Sequence, residues 1–65
     1  MKPAEWMIQQ FGGVRATARA VGRNQAAVSR WKKRGTVPVD VQPIVLRLAK
    51  QHDLDITAED LILGR

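Results

Sequence analysis

A glycine at position 22 constrains this chain more than any other residue. It interrupts a helix-favouring run, Val14-Arg-Ala-Thr-Ala-Arg-Ala-Val-Gly22-Arg-Asn-Gln-Ala-Ala-Val28-Ser-Arg-Trp31. Glycine adopts the positive φ that a sharp exit from a helix demands, so the run reads as two short helices around one tight turn. Val14, Thr17, Ala18 and Val21 share a face of the first helix, and Ala27, Val28 and Trp31 face inward from the second. Ala18 matters for its size, because a larger side chain would push the second helix away. Gln25, Ala26, Ser29 and Arg30 are then left pointing outward. This is the pattern of a helix-turn-helix.

Glycine and proline divide the whole chain into five short helical pieces. The first spans about Pro3 to Gln10, with proline in a first turn where its missing N–H is not needed. Ala4, Met7, Ile8 and Phe11 recur at helical spacing, and Trp6 lies off that stripe, covering a neighbouring edge of the core. Gly12-Gly13 ends the piece. The second piece is Val14 to Val21. The third runs from Gln25 to about Lys33, with Asn24 as its N-cap and Arg34-Gly35 closing it. Thr36 to Val39 is a loop, and Asp40 is the expected N-cap of a fourth helix running to Gln51, striped by Val41, Ile44, Val45, Leu48 and Ala49. Thr57 caps a last short helix, with Asp60 as its capping-box partner and Ile56 stapled to Leu61. The expected fold is a single all-α domain over residues 1–65. The alternation of Val37, Val39 and Val41, with β-favouring residues among Leu54, Ile56 and Leu61 to Leu63, leaves an α+β fold with a C-terminal hairpin as the alternative. Pro38 and Pro43 argue against a well-paired strand there.

A chain of 65 residues builds one small core. With no cysteine and a single histidine, His52, neither a disulfide framework nor a metal site is expected, and no cofactor or small-molecule ligand is called for. Catalysis lacks a basis: there is no cysteine, no carboxylate pair suited to a cleft and no glycine-rich phosphate loop. Asp53, Asp55, Glu59 and Asp60 do not follow the spacing of a calcium loop, and helix capping accounts for them better. No apolar run is long enough for a bilayer, and the N-terminus lacks the apolar core of a signal peptide, so a cytoplasmic protein without membrane contact is expected. Charge is segregated. Residues 1–35 hold eight Lys/Arg against Glu5 alone, a net of +7, whereas residues 36–65 hold three against five acids, a net of −2. Dispersed charge would serve solubility, but one basic half is suited to a polyanion.

The outward residues of the third piece fit double-stranded DNA. A major groove admits a helix and presents a distinct donor and acceptor pattern for each base pair. Gln25 has an amide for the N6/N7 edge of adenine, Arg30 a guanidinium for O6/N7 of guanine, and Ala26 a methyl for thymine, with Ser29 beside them. Around this helix, Arg15, Arg19, Arg23, Lys32, Lys33 and Arg34 are candidate phosphate ligands. The Gly13-Val14-Arg15 helix start adds amides and a dipole, and Thr17 and Asn24 are neutral candidates. Each cation alone reads as a solvated surface residue; their concentration around one motif singles them out.

Phe11-Gly12, Ala18-x3-Gly22, Gln25-x-Ala27-Val28 and Arg30 together resemble the Cro and repressor family of phage-type helix-turn-helix regulators. The resemblance covers most of residues 1–35. It implies a lambda-repressor-like bundle and an operator-binding transcriptional repressor, acting as a dimer on a near-palindromic site in the cytoplasm of a bacterial host. By motif position it assigns base reading to Gln25, Ala26, Ala27, Ser29 and Arg30. A Cro-like antitoxin would share the pattern. A helical protein-interaction domain would call instead for an apolar or acidic outer face. A weak homodimer that tightens on DNA is expected, joined through apolar residues left exposed among Val39, Val41, Ile44, Leu61, Ile62 and Leu63.

Overall fold

Why each helix starts and stops can be read from its caps. In the computed structural model, which describes all 65 residues, the helices are α1 (Pro3–Phe11), α2 (Val14–Val21), α3 (Gln25–Arg34), α4 (Gln42–Gln51) and α5 (Ala58–Leu63), and no strand forms. Pro3 opens α1, and the amides of Gly12 and Gly13 close it on the carbonyls of Gln9 and Ile8 at 3.1 and 3.0 Å. Gly22, at φ 74°, ends α2, with its amide and that of Arg23 both donating to the Ala18 carbonyl. Only two residues then separate it from α3, whose first turn is capped by Asn24: Oδ1 accepts the Ala27 amide at 2.8 Å. Both α1 and α3 run one residue further than expected.

The C-terminal half is helical, so the hairpin alternative is set aside. Val37 and Val41 are anchors in the core while Val39 is 81% exposed, which accounts for the alternation without a paired strand. The Pro38 carbonyl accepts the amides of Val41 and Gln42 at 3.0 and 3.2 Å and turns the chain into α4. That turn also corrects the expected cap. Val41, not Asp40, precedes α4, and no side chain caps it. The pull of Val41 into the core, where it is 1% exposed, fixes the helix start, and Asp40 is left to reach Arg23 instead. At α5 the capping box forms as expected. The Asp60 amide donates to Thr57 Oγ1 at 3.2 Å, and the Thr57 amide donates to Asp60 Oδ2 at 2.9 Å.

The core draws on every helix: Ala4, Met7 and Ile8 from α1, Ala18 and Val21 from α2, Val28 from α3, Val45 and Ala49 from α4, and Leu61 from α5. Trp6 is also buried, as expected for a residue covering an edge. α1 is the hub, packing on α2, α3 and α5, while α4 packs on α2 and α5. α3 packs on α1 and α2 alone. Its hold on the domain is Val28, fully buried, with Trp31 half-buried beside the core. Burying a valine of this kind stabilises by roughly 1.5–3 kcal/mol. Apart from half-buried Ala27, the rest of α3 is open to solvent.

The two chain ends meet. A Cβ at Gly64, which sits at φ 80°, would collide with the carbonyl oxygen of Met1. The next residue, Arg65, lies over the Trp6 ring at 5.2 Å and pairs with Asp55 at 3.3 Å and Asp60 at 3.4 Å. The C-terminus is thereby tied to the same α1 on which α3 rests.

Candidate nucleic-acid interface

The exposed face of α3 follows from its two contacts. With Val28 and Trp31 turned to α1 and α2, helical geometry puts Gln25, Ala26, Ser29, Arg30 and Lys33 in solvent, and all five are exposed. Gln25, Ser29 and Arg30 make no side-chain hydrogen bond or ion pair within the protein. Their donors and acceptors are uncommitted. Ala27 is half-buried and its amide is taken by the Asn24 cap, so it contributes little to this face. A ten-residue helix is about 15 Å long, comparable with the roughly 12 Å width of a major groove.

Two hollows flank α3. One, between α2 and the start of α3, is lined by Arg15, Ala18, Arg19, Arg23, Asn24 and Gln25. The other lies where the α1–α2 turn, at Gly12 and Gly13, approaches Lys32, and Glu5 of α1 also lines it. The cations expected at the phosphates thus gather near the start of the helix and in its last turn. Lys33 and Arg34 are exposed in its last turn, where cations also offset the negative end of the helix dipole. Of the eight Lys/Arg in residues 1–35, all but Arg23 are free of ion pairs.

Of the expected phosphate ligands, Thr17, Gly13 and Arg23 are engaged within the protein, and Val14 and Asn24 are so in part. Thr17 is fully buried, and its hydroxyl donates to the carbonyls of Gly13 at 2.7 Å and Ile8 at 3.4 Å. It ties α2 to the end of α1 and has no surface for a phosphate. The Gly13 amide is spent on the Ile8 carbonyl. Val14 packs its side chain against the core; its amide and that of Arg15 stand in the first turn of α2, where no i−4 carbonyl of the helix reaches them. Arg23 is exposed but paired, Nη2 donating to Asp40 Oδ2 at 3.3 Å. Asn24 keeps only its amide donors free, its oxygen being the cap.

The apolar residues considered for an interface between copies also divide. Val41 and Leu61 are core residues, each 1% exposed, and Ile44 packs against the core. Val39, Ile62 and Leu63 remain open, the last two on the outer side of α5.

Two contacts here are not foreseen from the chain alone. Asp40, expected as a helix cap, pairs instead with Arg23. Arg65 acts through contacts with residues far away in sequence. Asp60, beside it, has its pKa held below the ordinary carboxylate value. The Thr57 amide is the main cause, opposed by partial desolvation and supported by the Thr57 hydroxyl and the Arg65 charge. No helix is long and apolar enough to cross a membrane. No protein-family model, curated protein or solved structure matches the chain.

Proposed function

We propose that this protein is a sequence-specific double-stranded-DNA-binding regulator of transcription, a Cro-like repressor that lays α3 in a major groove and binds a pseudo-palindromic operator as a weak dimer. The observation that carries this reading is the state of α3. It packs on two neighbours only and leaves Gln25, Ala26, Ser29 and Arg30 open and uncommitted, within a segment, residues 1–35, with a net charge of +7. Polar groups of this kind discriminate between base pairs, while the flanking cations supply affinity without regard to sequence. Arg15 and Arg19 near the start of α3 and Lys32 in its last turn supply the positive charge that suits a phosphate backbone. Ile62 and Leu63 offer an apolar surface away from α3 for a second copy.

Two substitutions separate reading from grip. Arg30→Ala lowers affinity for the preferred duplex by about 1–3 kcal/mol and relaxes the preference at one base pair. Lys33→Ala weakens binding to all duplexes alike and reduces the salt slope by about 1. Uniform weakening by Arg30→Ala contradicts its base-reading role, and an unchanged salt slope in Lys33→Ala removes it from the phosphate ligands.

A further inference from the structure

One ion pair joins the basic segment to the acidic one. Arg23 Nη2 donates to Asp40 Oδ2 at 3.3 Å, across 17 residues of sequence. Both side chains are at the surface, 39% and 73% exposed. Arg23 belongs to the hollow between α2 and the start of α3, with Arg15, Arg19, Asn24 and Gln25. Every charged residue lining that hollow is a cation, and Asp40 is the one carboxylate bonded to any of them. The loop that carries Asp40 is held on both sides. Val41 is buried, and the Pro38 carbonyl takes the amides of Val41 and Gln42. The carboxylate is therefore presented to Arg23 by a fixed backbone.

A carboxylate oxygen and a phosphate oxygen are equivalent acceptors for a guanidinium. Resting on the DNA-binding reading above, we propose that Asp40 is an intramolecular competitor for a backbone phosphate at this hollow. It engages the Arg23 guanidinium in the free protein as a phosphate does in the complex, and it weakens association with every duplex. An exposed pair of this sort is weak, so phosphate displaces it and the effect is graded. The device acts on the electrostatic term that dominates sequence-independent binding and leaves the base-reading side chains of α3 untouched. It restrains a strongly basic protein from being absorbed by bulk DNA.

The test is equilibrium binding of the whole chain to a labelled duplex of random sequence, across salt from about 50 to 200 mM. Wild type, Asp40→Asn, Arg23→Gln and the double variant are compared, with helix content checked by circular dichroism. Asp40→Asn is expected to bind roughly threefold to tenfold tighter at the low-salt end. Because phosphate displaces Asp40 in the wild-type complex, Arg23 makes the same phosphate contact in both proteins, and the salt slope stays close to that of wild type. Without Arg23 the Asp40→Asn gain falls to less than half. Asp40→Ser, which also lacks the charge, reproduces the gain. Binding by Asp40→Asn that is equal to wild type or weaker overturns the competitor role alone, as does a gain that persists undiminished in the Arg23→Gln background. Failure of wild type and all variants to hold any duplex overturns the DNA-binding reading, and the competitor role with it.

Discussion

Substitutions at Asn24 pull stability and binding in opposite directions. Its Oδ1 accepts the Ala27 amide at 2.8 Å and is the only side-chain cap on α3. Asn24→Ala leaves that amide to water at a helix start, a loss of about 1 kcal/mol within a range of roughly 0.5–2. Because α3 delivers the fully buried Val28 to the shared core, unfolding of the whole domain registers the loss. With about 2.1 cal/mol/K of unfolding entropy per residue, 65 residues give roughly 0.14 kcal/mol/K, so Tm falls by about 7 °C. Asn24→Asp retains the acceptor and places a negative charge at the positive end of the helix dipole, favourable by about 0.3–1 kcal/mol. It melts at or above the wild-type temperature. The same aspartate removes the amide donors and adds negative charge to the hollow formed by Arg15, Arg19 and Arg23. It therefore binds every duplex more weakly. Thermal melts followed by circular dichroism and anisotropy titrations of a labelled duplex measure the two effects. An Asn24→Ala variant that melts within about 2 °C of wild type refutes the capping estimate, and an Asn24→Asp variant that binds duplex as tightly as wild type refutes the placing of a phosphate in that hollow.

Two other outcomes follow from polar groups whose bonding is fully specified. Thr17→Val deletes the hydroxyl bonds to Gly13 and Ile8, but both carbonyls keep backbone donors from Thr17 and Gly13. The cost is about 1 kcal/mol in a denaturant melt, with no change in the salt dependence of DNA binding; a flatter salt slope contradicts the burial of Thr17. Asp60 has a folded pKa below its ordinary 3.8, so its contribution to stability is present in full above that value and is lost as pH falls through the folded pKa. Asp60→Asn is expected to flatten the loss of stability on acidification below pH 3.8, measured by pH-dependent melts, whereas an unchanged acid profile removes the Thr57–Asp60 box from the account.

What the chain reveals by itself depends on the range of each interaction. The Asn24 cap, the Gly22 exit and the Thr57–Asp60 box involve residues at most five apart, and each is chosen by local chemistry, so all three are legible in the sequence. The outward face of α3 is legible too, because Val28 and Trp31 define the opposite side by helical spacing. Asp40 looked equally suited to cap a helix. Its fate turned on the burial of Val41 and on the Pro38 carbonyl, which decide where α4 begins. Val41 and Leu61 could not be separated from Val39, Ile62 and Leu63 by periodicity, because in a small domain the burial of an apolar residue depends on which neighbours arrive from elsewhere. Thr17 carries a hydroxyl suited to phosphate or to a carbonyl, and only the approach of the α1 end to α2 selects the carbonyl. The links from Arg65 to Trp6 and from Arg23 to Asp40 span the chain and leave no local mark.

The central claim is that α3 reads duplex DNA, and its most direct test is selection of bound fragments from a random duplex pool, followed by titration of the enriched sequence over a range of salt. The account predicts recovery of a two-fold symmetric site with half-sites about one helical turn apart, and an affinity that falls steeply as salt rises. Recovery of no preferred sequence, or binding indifferent to salt, contradicts it.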